Sequence, residues 1–147
     1  MKTLILTFIS FFMLLSCSNS DDSFTPQNIT PTLIGKNSIS NPSTPLQNSL
    51  ITSQVQWDNL LSIMNSTNNV SNNFLETNID FNNFDIIAVF RNPISNSSST
   101  VDITSIVETG NQRVVTVQNL IDGESADVAQ PFHIVKIPKS TKPIVFQ

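Results

Sequence analysis

The chain has 147 residues, of which 39 % are hydrophobic, and this length allows one ordinary domain. Lysine and arginine number 7 against 11 aspartates and glutamates, so the sequence lacks the basic footprint of a nucleic-acid-binding protein. A single cysteine excludes an internal disulfide and a cysteine-based zinc site. With one histidine and three glycines, we expect neither a metal nor another cofactor.

The first segment, residues 1–16, has the pattern of a secretory signal peptide. Lys2 provides a positive charge, and residues 4–15 form an apolar run that only Thr7 and Ser10 interrupt. A run of this length is too short to cross a hydrocarbon core of about 30 Å, which requires roughly 20 helical residues. We therefore predict a leader that directs export and is then removed.

The cysteine, Cys17, directly follows this apolar run. The sequence Leu14-Leu15-Ser16-Cys17 resembles the bacterial lipobox, which implies cleavage between Ser16 and Cys17 and transfer of a diacylglycerol to the cysteine thiol. Each acyl CH₂ buried in a membrane contributes about 0.8 kcal/mol, so two or three acyl chains anchor a protein stably. The alternative is an ordinary secreted protein that is cut elsewhere and keeps a free cysteine in its tail.

A short serine and acidic run, Ser18-Asn19-Ser20-Asp21-Asp22, follows the cysteine. It resembles the surface-export signal of lipoproteins in Gram-negative bacteria of the Bacteroidota type, and it is equally typical of a solvated linker. We therefore expect a lipid-anchored protein of the bacterial envelope, in the outer membrane, that faces either the periplasm or the outside of the cell.

Residues 17–47 are rich in small polar residues and proline. From Cys17 to Ser49, serine, threonine, asparagine and proline account for 20 of 33 residues. Such a composition buries too little apolar surface to offset the entropy lost on ordering, and so we predict a disordered tether. Leu33 and Ile34 could still form a short strand on the domain, which leaves the domain start, placed at residue 48, open by about ten residues.

A helix is predicted near the start of the folded domain, residues 48–147, after a short strand at residues 50–52. Ser53 and Gln56 fit a capping box, in which the hydroxyl accepts a free backbone N–H and the glutamine reaches back. The apolar residues that follow have the i, i+3, i+4, i+7 spacing of one helical face: Trp57, Leu60, Leu61 and Met64. Asparagine, serine and threonine at residues 65–69 end the helix.

The rest of the domain has β patterns. Residues 85–90 form a continuous apolar run, typical of a central strand that is covered on both faces. Residues 101–108 and 113–120 flank a turn that contains Gly110, which predicts an antiparallel hairpin. Residues 131–138 and 143–146 each fit a strand that begins at a proline. The predicted fold is a single small α+β domain, with one N-terminal helix packed on a mainly antiparallel sheet of about five strands.

Two patterns raise the question of catalysis or metal binding. His133 is the only histidine available to a hydrolase, but its apolar strand beside Pro131 favours a structural role, and the sequence has no convincing nucleophile motif. Asp80 opens a stretch that resembles a calcium loop without its glycine and distal glutamate, and an Asx-turn is the better interpretation. We therefore predict no catalytic residue and a protein that is not an enzyme, with a hydrolase that uses His133 as an alternative.

One long polar segment, residues 91–100, joins two of the predicted strands. A connection of this length is long for a hairpin, and polar loops on a rigid sheet are common recognition sites. We therefore predict contact with a partner at this loop through the following residues: Arg91, Asn92, Pro93, Ile94, Ser95 and Asn96. The alternative is an asparagine- and serine-rich loop without a partner.

Three stretches of the domain match a known family in their order and spacing. They are Ile51-Thr52-Ser53-Gln54 with Trp57-Asp58-Asn59-Leu60, Ile79-Asp80-Phe81 with Asp85-Ile86-Ile87-Ala88-Val89-Phe90, and Pro131-Phe132-His133-Ile134-Val135-Lys136-Ile137-Pro138. Residues 48–146 thereby resemble the C-terminal domain of the protease-complex subunit PrcB family. The resemblance implies a non-enzymatic exported subunit that associates with a surface protease and stabilises it. At residues 96–101 this chain lacks the Gly-Gly-Tyr-like element typical of the family.

An alternative function comes from the same polar loop. Asn92-Pro93-Ile94-Ser95-Asn96 resembles the Asn-Pro-Thr-Thr-Gly loop of chagasin-type cysteine-protease inhibitors, which block a cleft by wedging a loop into it. This resemblance implies direct inhibition of a protease. The expected partners are thus the membrane, through Cys17, and an exported protease or another envelope protein.

Overall fold

The computed structural model describes residues 24–66, 68–95, 98–120 and 127–147, which contain one α-helix, one 3-10 turn and nine strands. The predicted α+β class is confirmed, although the strands form two sheets where a single sheet of about five strands was expected. The helix is α1 (Gln54–Met64), and the 3-10 turn spans Val70–Asn73. The strands are β1 (Gln27–Asn28), β2 (Thr32–Ser40), β3 (Ser49–Ile51), β4 (Phe84–Phe90), β5 (Ile94–Ser95), β6 (Thr100–Glu108), β7 (Arg113–Leu120), β8 (Val128–Pro138) and β9 (Ile144–Phe146).

The domain has three layers. The middle layer is a five-stranded sheet in the order β2-β8-β4-β3, with β5 also pairing with β8. One outer layer is a four-stranded sheet in the order β1-β6-β7-β9, in which the pairing of β7 with β9 is parallel and the others are antiparallel. Helix α1 covers the other face of the middle sheet, so the middle sheet is buried on both sides.

Local hydrogen bonds set both ends of α1, as the sequence predicts. Ser53 Oγ accepts the Gln56 N–H at 3.4 Å, as in a capping box. Gln56 Oε1 reaches back and accepts the N–H of Thr52 at 2.8 Å, one residue before the N–H of Ser53 that a standard capping box would use. Asn65 caps the C-terminus. The predicted apolar face is the buried one and consists of Trp57, Leu60 and Met64, with Leu61 partly buried.

Strand β4 contributes to two cores because its side chains alternate between the faces of the middle sheet. Ile86, Ala88 and Phe90 pack with α1 in one core. Ile87 and Val89 pack with the four-stranded sheet in the other core. The prediction of a central strand covered on both faces is therefore confirmed, and its continuous apolar run follows from the presence of two cores.

The domain begins before residue 48, which corrects the predicted boundary. Within residues 17–47, the predicted tether, strands β1 and β2 form, and eight residues of β2 pair with β8. Ile34 and Ile39 are buried beside α1, so the alternative of a strand around Leu33 and Ile34 is the correct one. The polar composition hid this strand because an edge strand needs few apolar residues once its neighbour supplies the hydrogen bonds.

The predicted leader and lipidation site, residues 1–16 together with Cys17, lie outside the described residues. The predicted cleavage between Ser16 and Cys17 therefore rests on the sequence alone. Within the described ranges, no helix is both long enough and apolar enough to cross a membrane.

Candidate functional site

The polar segment predicted to bind a partner runs along β8 for much of its length. The Arg91 N–H donates to the Pro131 carbonyl at 3.0 Å, which continues the pairing of β4 with β8. After Pro93, the chain pairs with β8 again in β5, where Ile94 lies opposite Ala129. The segment is therefore less free than the predicted ten-residue loop, because β8 extends three residues before its predicted start and pairs with it.

The predicted contact residues divide into three groups. Arg91 and Asn92 line a cleft. Pro93 links them to β5, which holds Ile94 and Ser95 in the ladder with β8. Asn96 lies outside the described residues.

The cleft has a volume of about 430 Å³ and opens between the two sheets, where β3 begins. β3 follows β4 as far as Ala88 and does not reach Phe90. Asn48 takes the place of a strand at that point, because its Oδ1 accepts the Phe90 N–H at 2.8 Å. Residues from four segments of the chain line the cleft: 47 and 48, 90 to 92, 117 and 119, and 146 and 147.

Side-chain amides dominate the lining of the cleft. They belong to five of the nine lining residues: Gln47, Asn48, Asn92, Asn119 and Gln147. An amide both donates and accepts hydrogen bonds, as the peptide group does. Among the described residues that line the cleft, Arg91 is the one charged side chain, and none is a carboxylate or an imidazole. This lining can therefore donate hydrogen bonds to polar groups and accept hydrogen bonds from them.

A buried glutamine holds the wall of the cleft that carries Arg91. Gln130 on β8 is 0 % exposed, and its Oε1 accepts the Leu46 N–H at 3.0 Å. Its Nε2 donates to the Leu46 and Arg91 carbonyls at 2.8 and 3.1 Å. The role of Gln130 could not be predicted, because this residue precedes the strand predicted at residues 131–138 and no local sequence pattern distinguishes it from an exposed polar residue.

The four-stranded sheet supplies the opposite wall. Gln147 continues β9, since its N–H donates to the Val115 carbonyl at 2.9 Å and its carbonyl accepts the Val117 N–H at 2.7 Å. Phe146 packs, partly buried, against the core between the sheets. Because backbone pairing holds both walls, the cleft is a preformed site.

His133, the histidine of the hydrolase alternative, lies between the two sheets in a charged cluster. Its Nδ1 accepts the Ile103 N–H at 3.1 Å and lies 3.2 Å from Asp102 Oδ1, and Asp102 is paired with Lys36. Nδ1 therefore faces a donor, the Ile103 N–H, and an acceptor, Asp102 Oδ1, and acceptance of the Ile103 N–H requires the ring proton to be on Nε2. Within the described part of the chain, no hydroxyl or thiol is hydrogen-bonded to His133.

The electrostatics of this cluster favour a neutral imidazole. Burial is the main cause that lowers the pKa of His133 below its ordinary value, and the charge of Lys36 lowers it further. Asp102 acts in the opposite direction, through its charge and its contact with the ring. A neutral ring agrees with the acceptance of the Ile103 N–H. Through Lys36, Asp102 and His133, the cluster connects β2, β6 and β8.

Asp80, at the start of the stretch that resembles a calcium loop, forms the predicted Asx-turn. Its Oδ1 accepts the Asn82 N–H at 3.0 Å, and its Oδ2 accepts from Asn83 Nδ2 at 2.7 Å. These bonds, that from Asn83 first, lower the pKa of Asp80 below its ordinary value. In the ranges that the structure describes, no group of three or more His, Cys, Asp or Glu residues is placed to hold a metal ion.

No protein-family model matches this chain, and neither a curated protein nor a solved structure matches it. The resemblance to the PrcB family therefore stays a prediction from the quoted stretches. In the structure these stretches supply many buried residues of α1, β4 and β8, among them Trp57, Ile86 and Ile134. Many unrelated sheets share buried apolar residues of this kind, and so the fold alone assigns no function.

Proposed function

We propose that this chain is an exported bacterial lipoprotein, acylated at Cys17, whose domain binds another envelope or surface protein without catalysing a reaction. The observation that carries the binding function is the preformed cleft lined by Arg91 and five side-chain amides. The anchor is supported by the lipobox-like sequence that ends at Cys17. The two parts of the proposal are independent and are tested separately.

The chemistry of the cleft favours a short polypeptide segment as its ligand. An extended peptide offers alternating N–H and C=O groups, and side-chain amides can bind both. A volume of about 430 Å³ holds a few residues, so the partner would insert a short segment between the walls. Arg91 adds one positively charged side chain to this lining.

The class of partner follows from the family resemblance, which implies an exported protease that this domain stabilises. Binding to the folded form alone is a sufficient mechanism for such stabilisation. At a concentration one hundred times the Kd, a ligand of this kind raises the free energy of unfolding of its partner by about 2.7 kcal/mol.

Neither alternative function has support from a specific observation. A wedging inhibitor needs residues that project from the domain, whereas Ile94 and Ser95 are paired with β8. A hydrolase needs a nucleophile beside its histidine, whereas the described contacts of His133 Nδ1 are with β6.

Site-specific photo-crosslinking in the native membrane tests the binding function. A photoreactive amino acid replaces Asn92 or Asn119, on the two walls of the cleft, in the full-length protein. The matched control is the same replacement at Asn72, an exposed residue of the 3-10 turn. We expect one exported protein, identified by mass spectrometry, to crosslink from both cleft positions and not from Asn72.

The outcomes separate the parts of the proposal. If no protein crosslinks from the cleft, or if the same species crosslinks equally from Asn72, the cleft is not the binding site. If the crosslinked protein is a protease, its melting temperature should rise when the purified lipoprotein is added; an unchanged value would contradict stabilisation. The anchor is tested by the mass of the N-terminal peptide from native membranes, which should begin at Cys17 and carry acyl groups.

A further inference from the structure

One end of the domain is marked by Phe24, the first described residue. Its ring centroid lies 4.0 Å from Lys142 Nζ, and Gly110 lies beside its Cβ. Lys142 also donates to Glu108 Oε1 at 2.9 Å, which joins the segments of this end to one another. We call this surface, made of Phe24, the turn at residues 109–112 and the loop at residues 139–143, the Phe24 end.

The cleft lies towards the opposite end of the strands. β8 reaches the Phe24 end at Pro138, whose carbonyl accepts from Arg113 Nη1 at 2.6 Å. It reaches the cleft at Pro131, whose carbonyl accepts the Arg91 N–H at 3.0 Å. The seven residue-to-residue steps from Pro131 to Pro138 correspond to about 23 Å at the usual rise of a strand.

The chain between Cys17 and Phe24 is short. Seven peptide units join their Cα atoms, and such a chain spans at most about 25 Å when fully extended. An acyl group on Cys17 lies in the bilayer, so Phe24 stays within about 25 Å of the membrane surface. A tether of residues 17–47 would have left the domain free to turn, and the strands at residues 27–40 remove that freedom.

We propose that the Phe24 end faces the lipid headgroups of the membrane that holds Cys17, and that the cleft faces away from it. This orientation rests on the acylation of Cys17 in the proposed function. If the cleft faced the bilayer, the chain from Phe24 back to Cys17 would have to extend along the strands, past the level of Arg91, to reach the membrane. Its full reach of about 25 Å barely exceeds the distance of about 23 Å to the level of Arg91.

The side chains of the Phe24 end suit a headgroup layer. Glu108 is paired with Lys142 and with Arg113, so its charge is compensated. Lys139 is 43 % exposed and Phe24 is 42 % exposed. The Lys139 ammonium group donates to the Phe81 carbonyl at 2.7 Å and lies 3.6 Å from Asp85 Oδ1, whereas the exposed ring of Phe24 can enter the boundary between headgroups and acyl chains. A partner protein would therefore approach the cleft from the side of the domain away from the membrane.

Energy transfer to labelled lipids measures how far each end lies from the bilayer. The full-length acylated protein carries one introduced cysteine, either Asn111→Cys at the Phe24 end or Ser40→Cys beyond the cleft, where Ser40 pairs with Ala129. Acylation occupies the natural thiol, so the donor dye attaches only to the introduced cysteine. The acceptor is a rhodamine-headgroup lipid in vesicles of phosphatidylethanolamine and phosphatidylglycerol.

We expect the dye at Asn111 to lie closer to the membrane than the dye at Ser40, by about 20 Å or more. Equal distances, or a closer approach by Ser40, would overturn the orientation. Insertion of about twenty glycine and serine residues before Phe24 is the matched control, and it should bring the two distances together. Failure of the anchor has a different signature, because a protein without acyl groups on Cys17 does not float with the vesicles, and that result overturns both proposals.

Discussion

Gly35 lies on β2, where the register with β8 shifts between Leu33 and Gly35 and the ring of Phe74 covers the backbone. A Cβ at this position would lie 2.5 Å from Phe74 Cδ1. Phe74 has little room to move, because its ring lies 6.0 Å from that of Trp57 and 5.9 Å from that of Phe132. We expect Gly35→Ala to lower the free energy of unfolding, measured by urea titration, by about 1–3 kcal/mol.

Gly110→Ala is the matched control for this substitution. A Cβ at Gly110 would lie 3.4 Å from Phe24 Cβ, close to an ordinary contact distance, and the position is exposed. Its effect on the free energy of unfolding should stay within about 0.5 kcal/mol. Equal losses in the two variants would show that the contact with Phe74 is not the cause.

The dependence of stability on pH should report on His133. Its folded-state pKa lies below the ordinary value of 6.5, chiefly because the ring is buried, while Lys36 lowers the pKa and Asp102 raises it. Between the folded and unfolded pKa values the unfolded chain binds more protons, so the free energy of unfolding falls as the pH is lowered through the ordinary value of 6.5 towards the folded-state pKa. His133→Asn keeps an acceptor for the Ile103 N–H but does not titrate, and denaturant titrations should show that it removes this slope.

The carboxylates of Asp80, which is exposed, and of Glu108, which is partly buried, give a control for that experiment. Hydrogen bonds lower the pKa of Asp80, mainly through Asn83, and that of Glu108, mainly through Lys142. Their stabilisation is present above the ordinary values of 3.8 and 4.5 and is lost as the pH falls through the lower folded-state values. The two carboxylates therefore change the stability only at pH values below 3.8 and 4.5, whereas His133 changes it directly below pH 6.5. If the His133→Asn variant kept the wild-type dependence of stability on pH, another group would be its cause.

Among the elements, those set by local signals could be predicted and those set by distant pairing could not. The start of α1 depends on hydrogen bonds between close neighbours, and so Ser53 and Gln56 were sufficient to place it. The hairpin of β6 and β7 likewise follows from two apolar patterns and the turn between them. β2 was predicted only as an alternative, around Leu33 and Ile34, because its hydrogen bonds come from β8 near the other end of the chain and its own sequence is mostly polar.

Gln130 connects the segment before β3 to the end of β4, and its removal tests that connection. Gln130→Ala leaves the Leu46 N–H and the carbonyls of Leu46 and Arg91 without this partner. We expect the free energy of unfolding to fall by about 1–3 kcal/mol and the amide of Leu46 to exchange faster with solvent. Gln118→Ala, at an exposed position of β7, is the control; unchanged exchange at Leu46 in the Gln130 variant would contradict the connection.

The cleft belongs to the whole molecule, which is why the sequence located only one of its walls. The polar pattern at residues 91–96 marked Arg91 and Asn92. Asn48, Asn119 and Gln147 come from other segments, and no spacing in the sequence relates them to that wall. They meet for three reasons: the pairing of β3 with β4 extends only as far as Ala88, β9 pairs with β7, and the two sheets share a core.

The extent of the domain can be tested by truncation. β2 carries Ile34 and Ile39, which are 0 % and 3 % exposed, into the core beside α1. Removing a buried isoleucine side chain costs about 2–5 kcal/mol, whereas a whole domain is stable by only about 5–15 kcal/mol. A chain that begins at residue 48 loses both side chains and leaves an edge of β8 unpaired, so it should show no cooperative unfolding in urea. A chain that begins at Phe24 should unfold in one transition, coincident by Trp57 fluorescence and circular dichroism, and an equal transition in the shorter chain would place the domain start back at residue 48.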